Sequence, residues 1–332
     1  MDFLSADSLP WLAEIQARLR GAHAARRLPP ALLIVSAQGL GAEPLAAWIA
    51  ALALCEAPSG APCGACASCV LLRADTHPDV HIVRLLEDAQ QIKVDQIREL
   101  IESLSLSSYR GRRKLALVAE AETMNANGAN ALLKTLEEPS GDTLLILIAR
   151  PSHRLPATIA SRCQRLVLRA PTRADALEWL AGRAPGAASW EAALDLAGGA
   201  PLAALELPRE AIGRLDEEMR EALRRLASGS VDVSLLAEAW AKSDWQLKLI
   251  WLENWITRSV QADLAGVNSL QTAEPVRLPA ALLKPKIRAL FELLDSSREL
   301  RRLGSTGVNQ QLALESLLLN SRAALEKPRG AR

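Results

Sequence analysis

The stretch from Lys114 to Cys163 constrains the fold most. Lys114–Val118 is a short apolar run of the kind that fills a parallel strand buried on both faces. Asn127–Glu138 sets Ala131, Leu132, Thr135 and Leu136 at helical spacing and stops at Pro139. Leu144–Ala149 is a second buried strand, Arg154–Arg162 a short helix and Gln164–Leu168 a further strand. This alternation predicts a parallel α/β sheet covered by helices. The first strand runs into Ala119, Glu120, Ala121 and Glu122. A strand ending in two acids suits magnesium–nucleotide chemistry, one acid reaching the metal and the other polarising a water. Here the metal-binding position is alanine, and the competing reading is an ordinary strand end with solvated glutamates.

The amino-terminal part repeats the theme. Met1–Arg27 reads as a helix with Leu12, Ile15 and Leu19 on one face and Pro10 near its start. A strand, Ala31–Val35, leads into Ser36-Ala37-Gln38-Gly39-Leu40-Gly41-Ala42-Glu43 and an apolar helix to Leu54. Strand, glycine-containing loop and helix form the setting of a phosphate-binding loop, G-x-x-G-x-G-K-[ST]. Gly39 and Gly41 fit it. Ser36 stands at the first glycine, Ala42 at the lysine that contacts the β/γ-phosphates, and Glu43 at the hydroxyl that binds magnesium. A glutamate there sets negative charge beside a polyphosphate. The loop therefore reads as a P-loop fold without nucleotide chemistry, its glycines serving backbone conformation, and ATP hydrolysis by this chain is not expected.

Cys55-x7-Cys63-x2-Cys66-x2-Cys69 follows in a Pro/Gly/Ala-rich segment. Four thiolates wrapped by short loops suit tetrahedral Zn²⁺, and a complete set leaves no open position, so the metal is expected to be structural. Free or disulfide-bonded cysteines are the alternative. Spacing and a reducing compartment favour zinc. His77 and His81 are expected to pack or face solvent, since four sulfurs suffice. The 332 residues allow two or three domains, and the formal net charge of +1 provides no global basic field for nucleic acid. No run is apolar enough to span a membrane and no signal peptide is evident, so a cytoplasmic location is expected.

Asp79–Val83 is expected to be another strand, and Gln91–Leu100 leads into a helix to about Leu106, with Asp95 as a candidate cap. Arg110, Arg112, Arg113 and Lys114 read as solvated charge at a strand entry rather than a phosphate contact. Thr172 is a candidate cap for a helix through Leu180, with Trp190–Ala197 the next helix and a third beyond Pro201. From Pro208 the chain is almost wholly helical. Trp240, Trp245, Trp251 and Trp255 are read as helix-packing residues, because stacking on nucleic acid needs accessible aromatics among basic residues. Pro275–Pro285 is read as a loop with a helix start, and the tail from Lys327 as disordered.

The phrases NALLKTLEEP, LPATIASRC and I-x-VDQIREL closely resemble the clamp-loader branch of the AAA+ ATPases, the family that serves bacterial DNA polymerase III. The resemblance covers nearly the whole chain and is strongest over Ala31–Leu168. It implies an AAA+ RecA-like α/β domain over residues 1–170 with a zinc module at about 55–75, a helical lid at 171–207 and an all-α collar at 208–332. The Gly-Val-Asn at 307–309 before an apolar last helix also resembles the collar. Active members begin the last lid helix with an arginine that touches nucleotide; here the text is Gly199-Ala200-Pro201-Leu202-Ala203. Ser161-Arg162-Cys163 matches the family motif whose arginine reaches ATP on an adjacent subunit. The resemblance thus implies Arg162 as a finger in trans, Ser161 shaping the turn and Cys163 packing. An arginine paired with a nearby carboxylate is the plainer alternative. The implied partners are tau/gamma-type ATPase subunits, the delta subunit, the sliding clamp, and primer–template DNA through the assembly. The chain would be no enzyme by itself, only a subunit of the polymerase holoenzyme. The competing role is an ATP-hydrolysing tau/gamma-type subunit.

Overall fold

Five segments form strands: β1 (Ala31–Val35), β2 (Val80–Val83), β3 (Lys114–Val118), β4 (Thr143–Ala149) and β5 (Gln164–Val167). They make one sheet in the order β2-β3-β4-β1-β5, every pair parallel. β4 lies between β1 and β3, with Ala31 opposite Leu145 on one side and Lys114 opposite Thr143 on the other. The turns leaving β1 and β3 therefore flank the carboxyl end of β4, the usual place for a ligand in such sheets. In this computed structural model all residues are described except 1–4, 58–61, 87–88, 111–112, 152–154, 184–189, 208, 265–286, 304–308 and 326–332.

Every residue of β3 and β4 is buried, as the unbroken apolar runs require. The amino-terminal segment is less regular than its spacing predicts. Short 3₁₀ turns at Ser5–Ser8 and Pro10–Leu12 precede α1 (Ala13–Ala24), with Pro10 at the head of a turn, where its missing N–H costs nothing. α2 (Ala42–Leu54) buries Leu45 and every residue from Ala46 to Leu52, since it is covered by β1 and β4 on one side and by α1 and the first 3₁₀ turn on the other. α3 (Ala67–Arg73) follows it. On the opposite sheet face lie α4 (Val94–Ser105), α5 (Ala126–Glu137) and the single turn α6 (Ala157–Ala160). Their Ile97, Leu100, Leu132, Leu136 and Ile159 share a core with Leu33, Val118, Leu145 and Leu147.

The boundaries have local causes. Asn125 caps α5 by accepting the Gly128 N–H at 2.7 Å. At α4 the N-cap is Lys93, whose N–H is accepted at 3.0 Å by Oε1 of Gln96 in the first turn, as in a capping box; Asp95 lies in the same turn and pairs with Arg98. Lys114 is buried, and its ammonium donates to the carbonyls of Leu104 and Leu106, closing the end of α4. In the rest of the basic run Arg110 pairs with Glu56 at 2.9 Å and Arg113 with Asp142 at 2.6 Å; Arg112 lies outside the described residues.

The chain divides into two compact units, Met1–Thr172 and Arg173–Arg332. The second is helical: α7 (Arg173–Arg183), α8 (Trp190–Leu196), α9 (Pro201–Glu206), α10 (Arg209–Ser228), α11 (Val233–Ala241), α12 (Trp245–Leu264), α13 (Ile287–Leu303) and α14 (Gln310–Leu325). One continuous apolar core runs from Ala176 and Leu180 to Leu317 and Leu325. Trp240, Trp245, Trp251 and Trp255 are all buried in it, as their spacing implied, and the Trp251 indole donates to Asp216 at 2.9 Å. Buried Glu253 accepts from Ser297 at 3.2 Å and pairs with Arg301 at 3.1 Å. The stretches Pro275–Pro285 and Gly304–Val308 and the tail from Lys327 lie outside the described residues. No helix among the described residues is long and apolar enough to cross a membrane.

Candidate functional site

The glycine loop joins β1 to α2 as the motif requires. Gly39 and Gly41 have φ of 78° and 91°, the left-handed region that glycine enters without strain. Gly41 is the residue before α2, so Ala42 opens the helix and Glu43 lies in its first turn. Ser36 is buried, and its hydroxyl donates to the Ala37 carbonyl at 2.7 Å. The Trp11 indole donates to the Leu40 carbonyl at 2.9 Å, pinning the loop to the amino-terminal turn. Glu43 pairs with Arg84, just past β2, at 3.2 Å. In the sheet β4 and β3 separate β1 from β2, so this exposed pair spans the carboxyl ends of the strands between them.

The end of β3 is occupied just as fully. Ala119 is buried, and its N–H continues the sheet ladder to Val83 at 2.9 Å. Glu120 adopts a left-handed conformation and its carboxylate accepts the Leu85 N–H at 3.3 Å, tying down the end of β2. Glu122 is almost enclosed, 3.9 Å from Arg150 at the end of β4, and its Oε2 has no hydrogen-bond partner among the described residues. Both acids are thus engaged with neighbouring strand ends.

The four cysteines converge. The sulfurs of Cys55, Cys63, Cys66 and Cys69 all lie within 4.8 Å of one another. Bonds of about 2.3 Å to a tetrahedral zinc would set sulfurs about 3.8 Å apart, so the quartet fits a metal with a contraction of about 1 Å at most. All four are free thiols, and Cys63 and Cys69 sulfurs stand 4.0 Å apart, too far for a disulfide. Backbone N–H groups point at the sulfurs: Glu56 and Cys69 donate to Cys66, Cys63 to Cys55 and Cys66 to Cys63, at 3.3–3.5 Å. Hydrogen bonds from Ala65 and Cys66 bring the Cys63 thiol down to about 6, whereas burial pushes Cys55 and Cys69 up. Among the described residues this is the one group of His, Cys, Asp and Glu side chains arranged to hold a metal ion.

A polar chain behind the quartet was not foreseen from the sequence. Arg110 and the Ser68 hydroxyl both donate to Glu56 Oε1, at 2.9 and 2.8 Å. His77 Nε2 lies 3.3 Å from Ser68 Oγ, and His77 Nδ1 accepts the Asp79 N–H at 3.2 Å. Acceptance at Nδ1 assigns the proton of the neutral ring to Nε2. Asp79 in turn accepts the N–H groups of Tyr109 and Arg110 at 2.6 and 3.0 Å. His77 is buried, and burial holds its pKa below the usual histidine value. It is buried within this polar chain, one of the two placements expected of it.

Arg162 lies just past α6, 34% exposed at its side chain. Its Nε donates to Glu137 Oε1 at 2.7 Å, Nη2 contacts the same oxygen, and Nη1 donates to the Thr158 carbonyl at 2.9 Å. Ser161 Oγ lies 3.4 Å from Nη1 and donates to the Thr158 carbonyl at 3.1 Å. Cys163 is buried in the sheet-face core, where burial pushes its thiol up to about 11.

Two family descriptions match, "DNA polymerase III, delta subunit" over residues 12–172 and "DNA polymerase III, delta subunit, C terminal" over 217–322. The DNA polymerase III subunit delta' of Pseudomonas aeruginosa is 35% identical over 324 residues, covering 95% of this chain and 97% of the relative. The chain belongs to the DNA polymerase III delta-prime family. The delta' subunit of Escherichia coli (strain K12) is 32% identical, covering 93% of this chain and 94% of that one. DNA polymerase III subunit tau of Salmonella typhimurium is 32% identical over 145 residues, 43% of this chain and 22% of the relative. The delta-prime likeness therefore spans both compact units, whereas the tau likeness is partial.

Residues missed by sequence reasoning have a common character. Trp11, Glu56, Arg84 and Glu137 act through partners 29, 10, 41 and 25 positions away in the chain. No local spacing announces such contacts. The one available signal was the pair of acids closing NALLKTLEEP, one of which meets Arg162.

Proposed function

We propose that this delta-prime chain is a non-hydrolysing subunit of the polymerase III clamp loader. In this reading Arg162 serves as an arginine finger for ATP bound to an adjacent tau/gamma-type subunit while a sliding clamp is loaded on primed DNA. The observation that carries the reading is the contrast between two ends of one domain. At the loop after β1, Ala42 and Glu43 replace the lysine and hydroxyl, and Glu43 is paired with Arg84. At β3 the expected acid is buried Ala119. Arg162, by contrast, is a surface guanidinium held only by exposed groups. Arginine keeps its charge and presents a planar fork of donors, which suits the spread charge of a transferring γ-phosphoryl group.

The same reading assigns structural zinc to Cys55, Cys63, Cys66 and Cys69, a lid to residues 171–207 and a collar to 208–332. The delta subunit and the clamp are partners, and DNA is met through the assembly in the cytoplasm. DNA contact would go to backbone phosphates without base readout. The tau-type alternative needs a phosphate-binding lysine, and Ala42 counts against it.

The test is Arg162→Ala in the reconstituted complex. A finger contributes about 10³–10⁵ in rate at a single site. Clamp- and DNA-stimulated ATPase should fall while assembly, followed by gel filtration, is retained. Unchanged ATPase and clamp loading would reject the assignment.

A further inference from the structure

We propose that Glu137 is a latch that parks Arg162 on its own subunit, so that the arginine reaches a neighbour's ATP by exchanging one anion for another. The inference rests on the finger reading above and adds a positioning residue to it.

In this structure the guanidinium is held on its Nε/Nη2 edge and at Nη1. Nε and Nη2 both face Glu137 Oε1, and Nη1 faces the Thr158 carbonyl. The side-on fork formed by Nε and Nη2 is taken by the carboxylate and is not open to a phosphate. The finger must therefore leave Glu137 before it can serve another subunit, because a carboxylate beside the γ-phosphate would repel it.

Helix preference does not explain the placement of Glu137. It is the last residue of α5, where the backbone carbonyls already carry partial negative charge and a carboxylate is disfavoured. Arg162 offsets that charge, and the pair ties the end of α5 to the turn after α6. Side-chain exposures of 34% and 50% keep the pair in a high-dielectric setting. An exposed pair of this kind biases an equilibrium by roughly 1.4- to 5-fold, so the latch holds without locking. The terminal phosphate of ATP presents more charge and more acceptor oxygens than one carboxylate. It wins the exchange, whereas a nucleoside diphosphate lacks the group at that position. The latch thus ties the finger's release to the presence of a triphosphate next door.

The experiment is steady-state ATPase of the reconstituted complex with ATP varied, comparing wild type, Glu137→Gln, Glu137→Asp, Arg162→Ala and the Glu137→Gln/Arg162→Ala pair. Removing the latch should lower KM for ATP by about 2- to 5-fold with kcat unchanged. Glu137→Asp, with a shorter reach, should move KM the same way by less, and it serves alone if the glutamine variant fails to fold. In the Arg162→Ala background Glu137→Gln should be silent, since the latch acts only through the arginine. Glu137 variants that match wild type while Arg162→Ala is defective overturn the latch and leave the finger standing. A fall in kcat with Glu137→Gln also overturns the latch, because it makes Glu137 a helper of catalysis. If Arg162→Ala is itself normal, the finger reading fails and the latch with it.

Discussion

Substituting Cys69 by serine, or stripping the metal with a chelator, probes the cysteine quartet directly. Cys69 is the buried member, and Cys66 links it to the start of α3 by accepting its N–H. Without a cation four thiolates cannot coexist there. Two unit charges about 4 Å apart repel by about 4 kcal/mol at an effective dielectric constant near 20. The thiols are accordingly divided, Cys63 down at about 6 and Cys55 and Cys69 pushed up by burial. A zinc ion would replace that repulsion with four bonds and release the protons. At a thousandfold excess over its Kd a ligand adds about 4 kcal/mol of stability. For a unit the size of residues 1–172 that amounts to about 8–16 °C in Tm. The purified, reduced chain should therefore carry one zinc, counted by a colorimetric chelator. Chelation or Cys69→Ser should lower the melting transition of that unit by about this much. Binding should weaken as pH falls, since each ligand must lose its proton first. A metal count near zero, with a Tm indifferent to chelator, would refute the reasoning.

Two further outcomes are expected. Asn125→Ala removes the α5 cap and should cost about 1 kcal/mol in urea unfolding, a loss that Asn125→Ser or Asn125→Asp should largely restore. Stability should also fall as the medium is acidified below the ordinary histidine pKa. Burial depresses His77, His23 and His81, so above that value they are neutral folded or unfolded and contribute in full. As pH drops through the window down to their folded pKa values the unfolded state binds more protons and the contribution is lost. Tm measured against pH should show the decline, His77→Gln should reduce it, and a flat profile would count against burial holding these rings neutral.

The α/β unit was largely legible because its signals are local. All five strands were read to within a residue at each end, since unbroken apolar runs bounded by turn residues have few other uses. The quartet was legible for the same reason, four cysteines on two short spacings. The amino-terminal segment was overread as one helix, because Leu12, Ile15 and Leu19 fit a helical face while the turns around Pro10 carry no periodic signal. The capping of α4 was misassigned to Asp95. An acid near a helix start serves as cap, first-turn charge or ion-pair partner, and only geometry separates these. Arg162 shows the limit most clearly. Its motif was conspicuous, yet Glu137 follows from how α5 and α6 pack and not from any spacing.

The glycine loop has a structural reason to keep its glycines whatever residues follow them. Gly39 and Gly41 both take left-handed backbone conformations, which would cost a residue with a Cβ of the order of 1 kcal/mol or more each. That turn delivers the chain from β1 into α2, whose Leu45, Trp48 and Ile49 are fully buried under the amino-terminal segment. Replacing either glycine would strain the entry to one of the most enclosed helices of the unit. Ala42 and Glu43 carry no such constraint: one is half-buried and the other exposed, and neither has a special backbone angle. The motif can therefore lose its lysine and hydroxyl with little effect on the fold, while its glycines stay tied to it. A P-loop outline in the sequence reports the turn, and the residues after the last glycine report the chemistry.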